Sequence, residues 1–339
     1  MRAVVYRETG PSSVLQLVER AVPDPGPGEV RVRVVRSGVN PTDWKFRAGM
    51  MSGYAEVTPG QDGAGYVAAL GPGVEGPEIG QRVWLVLAQH GRAYGTAAEY
   101  TIQPAERVVA LPEGADLDLG ASIGVPAVTA HRALTAGEFG PARLGPGALE
   151  GRVVLVAGGA GAVGNAAIQL ARWSGATVVA TVSSAEKAAL AAAAGAHHTV
   201  DYTAGQSAEA IRAISPDGVD IAVEVAPAQN ITLDLDVVKV HGLVSIYANN
   251  GGDEMTMPLR AAFGKNLRFQ FLILYTLDPR LVRAAIEDVN AAVAVGALRV
   301  GEDAGLPLHH YPLAQIAAAH DAVEGGAVGK VLLDVADLG

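Results

Sequence analysis

The residues best suited to chemistry are Ala157-Gly158-Gly159-Ala160-Gly161-Ala162-Val163-Gly164, which join an apolar run to an amphipathic one. Glycines let a strand-to-helix turn curl tightly and bring backbone close to a ligand. The free amides and dipole at the start of the helix then favour a pyrophosphate. A second apolar run, TVVATV, follows the helical stretch and distinguishes a dinucleotide-binding turn from an ordinary tight one. It ends Thr181-Val182-Ser183-Ser184, and the first acid, Glu186, comes only in the next helical stretch, beside Lys187. A site for the unphosphorylated dinucleotide usually has a carboxylate at that strand end to hold the ribose hydroxyls. Hydroxyls and an ammonium, with no carboxylate to repel it, suit a ribose phosphate instead. The expected cofactor is therefore NADPH. Its expected contacts are Gly158, Ala160, Gly161, Ala162, Val163, Gly164, Ser183, Ser184 and Lys187. No cysteine is present, so disulfides, Cys-ligated metals and thiol nucleophiles are excluded. Of the eight histidines, His197-His198 and His309-His310 form adjacent pairs without a third ligand at metal-binding spacing, and no metal is expected.

The elements that must position these groups follow from the wider pattern. A chain of 339 residues suggests about two domains. With 50% hydrophobic and 18% charged residues it can bury a large core, which excludes a disordered chain. The formal charge of -10 argues against nucleic acid as the main ligand. The amino terminus alternates like a strand and lacks the apolar core of a signal peptide, and no run approaches the ~18 apolar residues of a membrane span. A cytoplasmic protein with no membrane partner is expected. Up to about residue 124, short β-branched segments between Pro and Gly indicate mostly antiparallel β structure. From about residue 125, apolar strands alternate with helices, the pattern of a parallel sheet covered on both faces. The tail from about residue 269 is mixed, with helices expected over 279–296 and 313–326 and a final strand at 329–336. The Pro- and Gly-rich stretch 138–151 reads as a surface connection.

Several segments then point to one family: GVNPTDWKFRAG at 38–49, PGQDGAGYVAALGPGV at 59–74, GQRV at 80–83 and IGVPAVTAHRAL at 123–134. VLVAGGAGAVGNAAIQLAR, GAHHTVDY and the closing GKVLL extend the match over nearly the whole chain. The sequence resembles the medium-chain dehydrogenase/reductases, and most of all their zinc-independent, zeta-crystallin-like quinone oxidoreductases. The resemblance implies an α/β protein with two parts. A GroES-like, mostly antiparallel β catalytic domain would comprise residues 1–124 and 268–339. A Rossmann domain with a doubly wound parallel sheet would comprise residues 125–267, and the active site would lie in the cleft. It also implies Tyr202 near the adenosine phosphate, Asn230, Tyr247, Ala248 and Asn249 on the nicotinamide side, backbone of Leu272, Ile273 and Leu274 at the carboxamide, and Lys330 approaching a phosphate. The family's dimers imply a homodimer, with an edge strand in GLVSIYA or NLRFQFLILYTL.

Zinc-dependent relatives have a catalytic Cys where this chain has Asn40 and a His where it has Gln61. Amides are poor zinc ligands beside thiolate and imidazole. Without a Lewis acid, oxidation of an ordinary alcohol is hard, because nothing stabilises the alkoxide. Quinones and enones avoid that problem, since hydride yields a delocalised phenolate or enolate. The implied reaction is NADPH-dependent reduction of a quinone. Asn40, Gln61 and Lys45 would position the substrate, and Tyr54 and Thr129 would line its site. Lys45 departs from the family, where many members have Tyr. Asp43 and Asp62 are expected to hold loops and support the groups around the substrate. Two alternatives are an enoyl or 2-alkenal double-bond reductase and an RNA-binding protein that uses NADPH only as a ligand.

Overall fold

The computed structural model describes residues 1–50 and 53–336. The chain divides into two compact units, Met1–Val125 with Pro307–Gly339, and Pro126–Leu306. In the first, β1 (Arg2–Val5) pairs antiparallel with β2 (Gln16–Glu19). The main sheet is built on β3 (Glu29–Val39). Val30, Val32 and Val34 of that strand point into the core, while Arg31 and Arg33 alternate outward, as a half-buried strand requires. The short helix α1 (Pro41–Lys45) follows, then β4 (Asp62–Leu70), β5 (Arg82–Leu85), β6 (Tyr100–Pro104) and β7 (Val108–Ala110). One side of β3 pairs with β4; β6 takes residues 29–33 of the other side.

The long helix α2 (Leu117–Thr135) carries Pro126 within it, and the division between the units falls there. The expected β-rich run to residue 124 is corrected here: its last eight residues are helical, disguised in the sequence by Gly120, Gly124 and Pro126.

The second unit alternates strictly. Its elements are β8 (Val153–Ala157), α3 (Ala162–Trp173), β9 (Thr177–Val182), α4 (Ala185–Ala193), β10 (His198–Asp201), α5 (Ser207–Ile214), β11 (Val219–Glu224), α6 (Pro227–Val237), β12 (Val238–Ile246), α7 (Leu259–Lys265), β13 (Arg268–Phe271) and α8 (Pro279–Ala294). The sheet runs β10-β9-β8-β11-β12-β13, and every pairing is parallel. This is the Rossmann order 3-2-1-4-5-6. Strands covered on both faces have no polar side, which is why VVLVA and TVVATV read as apolar throughout. The chain then returns to the first unit with β14 (Leu308–Pro312), α9 (Ile316–Glu324) and β15 (Lys330–Asp334). β15 pairs antiparallel with residues 36–39 of β3. Among the described residues no helix is long and apolar enough to cross a membrane.

The Rossmann unit runs past the expected end at residue 267, to Leu306. β13 is the sheet's last parallel strand, against β12, and α8 is tied into the same unit by a buried carboxylate. Asp288 on α8 meets His131 Nε2 at 2.8 Å and accepts from Leu144 N at 2.7 Å and Arg143 Nη2 at 2.6 Å. The stretch 138–151 is thus pinned at Arg143 and Leu144, and Leu144 and Leu149 are buried. Burial pushes the Asp288 carboxyl up, but the bonds from His131, Arg143 and Leu144 outweigh it and bring it to about 2. A depressed carboxylate stabilises the fold above its unfolded pKa, and that stabilisation is lost as pH falls through the folded value. The D288N variant is therefore expected to be about 1–2 kcal/mol less stable than wild type at pH 6. That gap should narrow between about pH 4 and pH 2. Denaturant melts across that range check it, and a gap independent of pH contradicts it.

Candidate functional site

At the end of β8, Gly158 turns with φ of 67° and Gly161 caps α3 in an extended conformation with no side chain over the helix end. The turn is closed by Gly161 N donating to Gly158 O at 3.0 Å and Gly159 N donating to Thr181 O at 3.2 Å. A Cβ on Gly159 would meet Ala180 Cβ at 2.8 Å, and one on Gly164 would meet Gly158 O at 2.4 Å, so these two glycines let the helix close on the sheet. A Cβ on Gly161 would meet nothing nearer than Gly158 O at 3.5 Å. Ala162, Val163 and Gly164 head α3 with amides that have no intrahelical acceptor. Donors, dipole and open approach fit a pyrophosphate.

The neighbouring strand end gathers hydroxyls and an ammonium. Lys187 Nζ donates to Ser183 Oγ at 2.9 Å, and Ser184 Oγ caps α4 by accepting from Lys187 N at 3.2 Å. Glu186 is exposed on α4, and β9 itself ends without a carboxylate; Asp201 of β10 stands in register with Val182, its carboxylate accepting from Thr203 N at 2.9 Å. Tyr202 is exposed just after β10.

On the other half of this sheet, Asn230 Nδ2 donates to both carboxyl oxygens of Glu224, at 3.0 and 3.2 Å, and Tyr247 N donates to Glu224 O at 3.1 Å. Burial pushes the Glu224 carboxyl up, against the donors from Ala226 and Asn230. Burial likewise raises the Tyr247 hydroxyl, with the Glu224 charge adding to it. Glu224 escaped the sequence reading, and its one signal is an acid ending the otherwise apolar half of VDIAVE. Ala248 is half-buried, and Asn249 is exposed and bonded to Asp253. Leu272 and Leu274 are buried and Ile273 is exposed; the Leu272 amide is already committed to Ile246 O at 2.9 Å.

In the β unit the structure joins Asn40 to Asp62 and Lys330. Asn40 Nδ2 donates to Asp62 Oδ2 at 2.7 Å, and Lys330 Nζ donates to Asn40 Oδ1 at 2.7 Å and to Asp62 Oδ2 at 3.2 Å. All three side chains are buried. This corrects the expectation for Lys330: its ammonium is enclosed between an amide and a carboxylate instead of being presented to a phosphate. Asp43 Oδ2 accepts from Asn40 N at 2.7 Å, holding the start of α1. Its carboxyl is pushed up to about 7, first by burial and then by the Asp62 charge. Gln61 is buried and donates to Gln89 Oε1 at 3.1 Å, which leaves its own carbonyl oxygen unpartnered among the described residues. Lys45 is half-buried with Nζ 5.8 Å from the Trp44 ring centre; Tyr54 is exposed. Thr129 is buried on α2, in the other unit. Among the described residues no three His, Cys, Asp or Glu side chains group as metal ligands. His309 Nε2 lies 2.7 Å from Val328 O and His310 Nδ1 lies 2.8 Å from Asp334.

Comparison with known proteins gives the family of the chain. Residues 26–113 match the family described as alcohol dehydrogenase GroES-like domain, and residues 162–291 match the zinc-binding dehydrogenase family. A quinone oxidoreductase of Lama guanicoe is 31% identical, over 98% of this chain and 97% of its own. The crystal structure of an NAD-dependent alcohol dehydrogenase aligns with a TM-score of 0.85 at 28% identity, covering 99% of this chain and all (100%) of that one. A mycobacterial protein, Rv1454c, complexed with NADPH, aligns at 0.82 and 28% identity, covering 98% of this chain and 99% of its own.

The glycine turn can be tested apart from any ligand. G164A must move the Gly158 carbonyl and is expected to cost about 1–3 kcal/mol of stability. G161A, whose φ of -80° suits alanine, is expected to melt like wild type. Equal melting temperatures for all three proteins would contradict this assignment.

Proposed function

Because this chain belongs to the medium-chain dehydrogenase/reductases, among their zinc-independent quinone oxidoreductases, we propose that it is an NADPH-dependent quinone reductase. The solved relatives differ in cofactor, NAD for one and NADPH for another, so the end of β9 carries the choice. There Ser183, Ser184 and Lys187 offer two hydroxyls and an ammonium to a ribose phosphate, and β9 itself ends without the carboxylate that would hold ribose hydroxyls. The pyrophosphate would rest on the amides of Ala162, Val163 and Gly164, and Asn230, oriented by Glu224, would serve the nicotinamide side.

The cofactor supplies hydride when bound. The chain's own part is to hold a flat acceptor in place and stabilise charge on its oxygen. Asn40 and Gln61 stand where zinc-dependent relatives carry metal ligands, so that charge would be met by amide donors. Quinones and enones suit such donors, because their reduced forms spread the charge over a conjugated system. The chain is also proposed to work in the cytoplasm as a homodimer. β13, at the sheet's edge, displays exposed Phe271, with Ile273 just beyond it and Leu259 and Phe263 exposed on α7.

Stopped-flow oxidation of NADPH by 1,4-benzoquinone, 9,10-phenanthrenequinone and a 2-alkenal tests the reading. Quinones are expected to be the faster acceptors. A preferred 2-alkenal would move the assignment to double-bond reduction, and inertness with every acceptor would refute both. In the same assay K187A is expected to weaken NADPH binding about tenfold while leaving NADH within about twofold.

A further inference from the structure

Three adjacent strands bring three polar side chains, Asn40, Asp62 and Lys330, together in the interior of the β unit. The antiparallel register of β15 on β3, with Val331 opposite Val39, continues to set Lys330 beside Asn40. The register of β3 on β4 sets Gly38 opposite Asp62. Glycines make the room. A Cβ on Gly38 would lie 2.0 Å from Ala121 O and 3.0 Å from Lys330 Cε, and one on Gly124 would lie 2.3 Å from Asp62 Oδ1. Asp62 Oδ1 also accepts from Val125 N at 2.8 Å. Among the described residues the Asp62 carboxylate thus takes hydrogen bonds from Asn40, Lys330 and Val125, the arrangement that suits its anion. Burial pushes its carboxyl up, while Lys330, Asn40 and Val125 pull against that.

The Asn40 amide is held at both ends. Its carbonyl oxygen takes the Lys330 ammonium and one of its two N–H bonds goes to Asp62, which leaves the second N–H uncommitted among the described residues. A cation on an amide oxygen draws electron density from the nitrogen and makes that N–H a stronger donor.

We propose that Lys330 is a positioning residue for the reduction: it fixes and polarises Asn40, whose second N–H donates to the acceptor oxygen as negative charge gathers there. The inference rests on the quinone-reductase reading above. The acceptor gains hydride from NADPH, leaving NADP+. The charge resides on the acceptor oxygen until water supplies the one proton that completes the reduction. Lys330 touches neither substrate nor cofactor, and its charge acts through one amide.

The test compares wild type, N40S, the K330M/D62N pair and the triple variant. K330M alone would strand a buried Asp62 anion and risk misfolding, whereas the pair removes both charges together; serine keeps a cap at the start of α1. K330M/D62N is expected to melt near wild type, to bind NADPH within about twofold of it by fluorescence titration, and to transfer hydride at saturating cofactor about tenfold or more slower. Adding K330M/D62N to N40S should cost less than about twofold more, because the charge acts only through Asn40.

A roughly tenfold weaker NADPH affinity with an unchanged hydride rate would overturn the proposal in favour of a phosphate contact. Fully additive losses would reduce Lys330 to a structural part and overturn it too, as would an unaffected rate. A wild type inert with every acceptor would bring down the functional reading and this inference with it. An active wild type with unaffected variants would bring down the inference alone. Should the pair fail to fold, K330Q/D62N is measured against the same outcomes.

Discussion

A lysine and an aspartate buried together in a β core constrain everything around them. Desolvating two charges costs several kcal/mol per ion, and close pairing offsets it only when the remaining donors and acceptors are also met. Around Lys330 and Asp62 those needs explain otherwise unrelated features. Gly38 has no room for a side chain between the Ala121 carbonyl and the lysine stem, and Gly124 has none beside the carboxylate. Val125 lends its amide from α2, and Asn40 bridges the two charges at the point where β3 gives way to α1. Stability alone does not require the pair, since well-packed apolar side chains often serve a core as well as a buried ion pair does. What the pair does supply is one fixed orientation for the Asn40 amide.

The Rossmann unit reaches a similar end by other means. Its fixed charges are backbone dipoles: the amides heading α3, presented by a turn whose glycines are required by the close approach of helix and sheet. Side chains enter only at the end of β9, where Ser184 both caps α4 and helps to bring Lys187 toward Ser183. In both units the polar groups are held before any ligand arrives. Such preorganisation is what lets dipoles stabilise developing charge without first having to reorient.

Local sequence carried much of this. The strand–glycine–helix pattern at 153–173 and the missing acid at the end of β9 are short-range signals: the glycine turn lies between β8 and α3, and Ser183, Ser184 and Lys187 follow β9, as that pattern implies. Features that depend on long-range pairing were not legible. Lys330 and Asp62 are 268 residues apart, and nothing near GKVLL says which strand β15 will lie against. The end of the Rossmann unit was missed because RFQF is short and half-exposed, and only its pairing with β12 makes it part of that sheet. α2 was obscured by Gly120, Gly124 and Pro126, which fall within it. Asp43 and Asp62, expected to hold loops, both bond to Asn40, but the pairing of Asp62 with Lys330 left no local trace in the sequence.

The central claim is that a buried ammonium acting through an amide, and no metal ion, meets the charge that develops on the acceptor. Its most direct test is single-turnover oxidation of NADPH by 9,10-phenanthrenequinone, using protein dialysed against a strong chelator and assayed for residual metal. The account expects the hydride-transfer rate to survive complete metal removal unchanged and not to rise when zinc is added back. A rate that falls about tenfold or more on chelation and returns with zinc would contradict it.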